Sequence, residues 1–264
     1  MRTLAAAAAV LMLGAQPAAA GARVASLDQC ADQYVMALAD RAQIVGVTGR
    51  ADDDDAWLRA KSRGLPVRRP TMESMLAARP TVVVRYWGGD ERLMRSLAAR
   101  GATVLQIDEA TDFEGVAANV RKIARGLGRE AAGEALVADM GADLAEAGGA
   151  WKGDRALYVT SGGFTAGAGT LVDAVLRAAG LVNAATAPGY SAVSLEKLAL
   201  DPPRLFVKAF FEARRADRRA PGRSRTVERL SRGRVAAEIP GALVTCPAWF
   251  ASEAALRLSE AAPR

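Results

Sequence analysis

The chain has 264 residues, 51% of them hydrophobic and 24% charged, which is enough apolar material for one large core or two modest ones and excludes a disordered tail. It contains no histidine and two cysteines, so a Ser-His-Asp hydrolase and any zinc site built on imidazoles are ruled out. The net charge of +6 owes much to nine arginines between Arg214 and Arg234, a solvated face or an anion-attracting rim; no aromatic side chain is interleaved there to stack on bases, so nucleic acid is not an expected partner.

Residues 1–20 form an address. Arg2 supplies a positive start, Leu4 to Leu13 is an unbroken apolar run too short to span a bilayer, and Ala18-Ala19-Ala20 gives a small-residue cleavage pattern before Gly21. The chain is therefore expected to be exported and cleaved, with its mature part starting at Gly21. Beyond it, 23–27 reads as a strand, 31–39 as a helix and 44–47 as a second strand. The pattern then repeats: strand 81–85, amphipathic helix 90–100, strand 103–107 and helix 112–125. An Ala/Glu/Leu-rich stretch over 129–147 is long enough to join two domains. After Gly148-Gly149 the alternation restarts, with strand 156–160, helix 171–179, a short helix 194–200, strand 205–210, a last strand 242–245 and helix 251–260. The predicted fold class is α/β, with an N-terminal lobe over 21–127, a linking helix over 128–150 and a C-terminal lobe over 151–264.

An internal repeat supports the division. ESMLAARPTVVV (73–84) aligns without a gap on EKLALDPPRLFV (196–207), an offset of 123 residues. In each copy a short helix opens at a glutamate, proline stops it, and a buried strand follows.

RVASLDQCADQYVMAL (23–38), followed by IVGV (44–47), resembles the opening of bacterial periplasmic binding proteins for iron chelates and cobalamin. The resemblance continues through the repeat, WGGD (87–90), FTAG (164–167), VSLE (193–196) and AWF (248–250), and so covers nearly all of the mature chain. It implies two Rossmann-like lobes on one rigid backbone helix, a metal-chelate cargo held between them, and an ABC importer whose membrane subunits receive it. It also implies a monomer that touches the inner membrane only through that permease, with no catalysis and no cofactor. In this family glutamates matching Glu73 and Glu196 meet arginines of the importer. The same two side chains also suit the first turn of any helix.

In open parallel sheets ligands sit beyond the carboxyl ends of the strands. The segments 26–30, 85–90, 161–170 and 245–249 all follow predicted strands, so Tyr86, Trp87, Phe164, Tyr190 and Trp249 are expected to make an aromatic wall for a bulky planar cargo. Arg85, with Arg68 and Arg69 upstream, offers cations for an anionic chelate or is simply solvated. Cys30 and Cys246 stay open between a disulfide across the lobes, buried packing and contact with the ligand. The glycine-rich loop 162–170 lacks the Gly-Lys-Ser/Thr ending of a nucleotide loop. The acidic run 52–55 reads as solvated loop, no metal site is expected, and no paired acid and base points to an enzyme. An exported sensory or scaffold protein on the same two lobes, binding a protein partner, is the alternative.

Overall fold

The computed structural model describes residues 21–212 and 219–263; the leader expected over 1–20 and part of the arginine-rich segment lie outside the described residues. The N-terminal half runs β1 (Val24–Ser26), α1 (Gln29–Leu38), β2 (Ile44–Gly46), α2 (Met72–Ala78), β3 (Val82–Arg85), α3 (Glu91–Ala98), β4 (Thr103–Gln106) and α4 (Phe113–Gly126). Then comes α5 (Glu130–Ala147), 18 residues within the predicted linking stretch, closed by Gly148 in the left-handed region. The C-terminal half runs β5 (Arg155–Thr160), β6 (Phe164–Ala166), α6 (Leu171–Ala178), β7 (Val182–Asn183), β8 (Tyr190–Ala192), α7 (Leu195–Leu200) and β9 (Leu205–Ala209). It closes with α8 (Arg225–Ser231), β10 (Val235–Ile239) and α9 (Ala251–Glu260).

Each half builds a four-stranded parallel sheet, in the order β2-β1-β3-β4 and β7-β5-β9-β10. The two orders are equivalent, and the repeat falls on matched pieces, α2 with β3 and α7 with β9. Thr71 and Ser194, equivalent in the repeat, cap those helices by accepting from the backbone N–H of Ser74 and Lys197. Each helix thus starts one residue before its glutamate. Asp28, Asp90, Asp112 and Thr170 cap α1, α3, α4 and α6 in the same way, so the polar steps before the apolar runs do set the helix starts.

Two expectations change. The strand predicted over 242–245 is a 3-10 turn at Gly241–Leu243, because Pro240 has already ended β10. Within the glycine-rich loop 162–170, β6 instead pairs antiparallel with β8 as a ribbon, whose three-residue strands are too short to show a period in the sequence.

The core explains why the halves sit together. One apolar cluster lies under α2 and α3 (Leu27, Met75, Val83, Leu97), another under α7 and α8 (Val159, Leu198, Phe206, Val227). The largest cluster is shared, running from Tyr34 and Val120 through Trp151 to Trp249 and Leu258. Helix α5 packs on α4 and α9, and the Trp151 indole donates to the Leu258 carbonyl at 2.7 Å. Among the described residues no helix is long and apolar enough to cross a membrane.

Candidate functional site

A cleft of about 570 Å³ opens where the carboxyl ends of both sheets meet. Tyr86 follows β3, Glu109 follows β4, Ser161 and Gly162 follow β5, and Phe210 follows β9. Thr245 to Pro247, in the loop before α9, complete the wall. Phe210 has φ 65°, an uncommon conformation for a bulky residue that turns the chain sharply at the end of β9.

The ribbon supplies the aromatic face. Phe164 pairs with Ala192 and Ala166 with Tyr190, so Phe164 and Tyr190 are diagonal neighbours on one face of the two strands. Both are more than half exposed, at 54% and 61%, which for such large apolar rings marks a surface built to be covered. Tyr86 and Tyr158 line the same cleft. Burial pushes the phenols of Tyr86 and Tyr158 upward, partial desolvation raises that of Tyr190, and for Tyr86 and Tyr190 the Glu109 carboxylate adds to it. The Tyr86 hydroxyl donates to Glu109 Oε2. The unliganded wall therefore presents protonated phenols and one carboxylate, with no lysine or arginine among the described lining residues.

Asp28 holds the N-terminal wall in place. Its buried carboxylate accepts the Ala31 N–H at 2.9 Å through Oδ1, and through Oδ2 the N–H groups of Tyr86, Trp87 and Gly88 at 2.7, 3.2 and 2.9 Å. One charge thus caps α1 and gathers the loop that carries Tyr86. Gly88 is needed for this approach, since a Cβ there would lie 2.0 Å from the Leu27 carbonyl oxygen.

The structure therefore brings Tyr86, Phe164, Tyr190 and Cys246 to one cleft, and leaves four other expected residues out of its lining. Trp249 is corrected: it is 9% exposed, edge-on to Tyr34 at 5.4 Å and to Phe250 at 5.2 Å, a core ring beneath the site. Trp87 is 55% exposed and stands outside the lining. Arg85 is half-buried on the end of β3, with its Nε unpartnered, and does not reach the cleft wall. Cys30 and Cys246 are bonded to each other and buried, so neither offers a thiol; Cys246 contributes to the wall as half of a cystine, and Cys30 does not line it.

Glu73 and Glu196 are exposed in the first turns of α2 and α7, away from the cleft. The acidic run is engaged locally: Asp53 with Arg50 at 3.0 Å, Asp54 with Arg59 at 3.1 Å, and Asp55 accepting from Gln29 at 2.7 Å. Sequence reasoning missed Tyr158, whose place in an apolar strand signals only core, and Glu109 and Phe210, which carry no motif.

Two equivalent parallel sheets, a long helix between them and a cleft at their strand ends define a two-lobed binding protein. Residues 24–233 match the family described as periplasmic binding protein, and the chain belongs to it. Among curated proteins none matches the chain in sequence. Solved structures share the fold. The periplasmic heme-binding protein RhuT from Roseiflexus sp. RS-1 is 20% identical, with a TM-score of 0.71 over 92% of this chain and 100% of its own. A periplasmic heme binding protein from Pseudomonas aeruginosa is 24% identical, with a TM-score of 0.67 over 91% and 92%. The periplasmic vitamin B12 binding protein BtuF of Vibrio cholerae is 18% identical, with a TM-score of 0.66 over 90% and 95%.

Proposed function

We propose that the protein captures a metal-bearing planar chelate, a haem or a corrinoid ahead of a multiply anionic siderophore, and delivers it to the membrane subunits of an ABC importer. The observation that carries this is the lining of the cleft: Phe164, Tyr190, Tyr86 and Tyr158 around about 570 Å³, with no cation among the described lining residues. Flat rings suit a macrocycle face, and a phenol is an oxygen donor suited to an open axial position on ferric iron. A chelate that is anionic on every side, such as a tris-catecholate, calls for arginines around it, which this wall lacks. Similar folds carry names for heme, vitamin B12 and Fe3+-hydroxamate, so the preference rests on the lining.

On this proposal residues 1–20 are the cleaved export signal, the protein works in the periplasm without catalysis, and Glu73 and Glu196 are its docking points on the importer. Charged side chains at such a rim chiefly set orientation and contact rate. A concave aromatic cleft favours a small cargo over the scaffold alternative. The test is a titration of purified protein with hemin, cyanocobalamin and ferrichrome, following intrinsic fluorescence and the Soret band. Saturable binding of one tetrapyrrole, weakened about tenfold by Tyr190→Ala, is expected. Binding of none, or of ferrichrome alone, overturns it.

A further inference from the structure

The C-terminal lobe holds a second cavity of about 740 Å³, distinct from the cleft and on the far side of the β6–β8 ribbon. The ribbon stands between the two: Phe164 and Tyr190 line only the cleft and Ser191 only the second cavity, while Thr165, opposite Ser191, borders both. The inner wall is buried and apolar, made of Leu157 and Leu198. Its polar exception is Thr165, 7% exposed, whose Oγ1 has no hydrogen-bond partner. A buried hydroxyl without a partner is costly and uncommon, and this one borders an open cavity.

The outer wall carries charge. Arg204 is paired with Asp154 at 2.9 Å, but the exposed Arg155 and Lys197 have no described ion-pair partner; Asp201 is the remaining charged group among the described lining residues. The walls are held in place before any ligand arrives. Asn183 donates to the Ala166 carbonyl at 2.9 Å and accepts from the Ala185 N–H at 3.0 Å, tying the 184–187 loop to the ribbon. Gly167 backs that loop so closely that a Cβ would lie 1.7 Å from the Ala187 carbonyl oxygen.

We propose that this cavity is a second ligand site, for a small organic anion with its carboxylate on Arg155 and Lys197, an apolar body against Leu157 and Leu198, and a hydroxyl reaching Thr165. It is independent of the cargo proposed for the cleft. Because the ribbon is one wall and α7, with Glu196, is another, its ligand lies between the cargo face and the helix that carries the exposed glutamate.

The probe is 4-hydroxybenzoate, titrated into the purified protein and followed by backbone amide shifts. Saturable shifts at Ser191, Val193 and Lys197, which line this cavity and not the cleft, are expected. Binding should weaken about tenfold for uncharged 4-hydroxybenzamide and in the Arg155→Gln, Lys197→Gln double variant, and about threefold for benzoate, which lacks the hydroxyl. Thr165→Val should erase the preference over benzoate, while Phe164→Ala leaves the affinity unchanged. No saturable shifts at the solubility limit, shifts confined to the cleft, or an affinity unmoved by the double variant overturns the site.

Discussion

Cys30 in α1 and Cys246 in the loop before α9 are joined across the two lobes, their Cα atoms 5.4 Å apart and their positions 216 residues apart in the chain. One helical turn beyond Cys30, the Tyr34 hydroxyl donates to the Pro247 carbonyl at 2.7 Å, so α1 is tied to the same loop twice. The bond lies under the cleft, where the lobes already pack, and fixes them at the floor of the site.

A crosslink closing so long a stretch removes much of the freedom of the unfolded chain. The Cys30→Ser, Cys246→Ser double variant should lose about 2–5 kcal/mol of stability. At this chain length that lowers the melting temperature by roughly 5–15 °C. Scanning calorimetry of the oxidised protein, the reduced protein and the variant checks it; coincident transitions contradict the tie.

Asp28→Asn should separate the two tasks of that carboxylate. Asparagine still caps a helix, so the Ala31 amide keeps its acceptor. The side-chain NH₂ then takes the place of Oδ2 before three N–H groups, with a cost of about 2–4 kcal/mol. Hydrogen exchange should quicken at Tyr86, Trp87 and Gly88 and stay slow at Ala31.

Asp32 gives a pH dependence. It is fully buried, and burial lifts its carboxyl from 3.8 to about 6, against the hydrogen bonds from Ser26 and Thr48 and with a small push from Asp28. The folded state therefore holds this proton more tightly than the unfolded chain. The stability it confers is complete below pH 3.8 and is lost as the pH rises through about 6. Relative to Asp32→Asn, the wild type should gain about 1 kcal/mol between pH 7 and pH 5 in urea melts. A gain in the opposite direction sinks this assignment.

Trp249 and Tyr190 should respond oppositely. Trp249→Ala empties a core position and should cost about 3–5 kcal/mol, with cargo affinity largely kept in the fraction that stays folded. Tyr190→Ala, at an exposed ring, should change stability by less than about 1 kcal/mol while weakening the cargo. Paired calorimetry and titration decide it.

Charge reversal at Glu73 and Glu196 together should leave cargo binding in solution unchanged and abolish uptake in cells carrying the importer. Weakened binding in the purified variant counts against a docking role.

Much of this was legible in the sequence because it rests on local chemistry. The capping residues, the prolines after α2 and α7, and the β-branched runs set the element order, and the spacing of Glu73 and Glu196 revealed the two halves. The glycine steps around 88 and 162 located loops near the cleft. Less visible was the direction of each ring. Trp249 and Tyr158 sit in segments that both core and cleft would accept, and only the packing of α1 against the 246–250 loop turns Trp249 inward.

Sequence by itself determined the periods, caps and stops, since each depends on residues within a turn of one another. Tertiary structure decided the pairing of Cys30 with Cys246, the meeting of Tyr86 with Glu109, and the division of Tyr190 and Ser191 between two cavities. Those depend on contacts between residues far apart in the chain or on the register of a three-residue ribbon, and no local pattern encodes either.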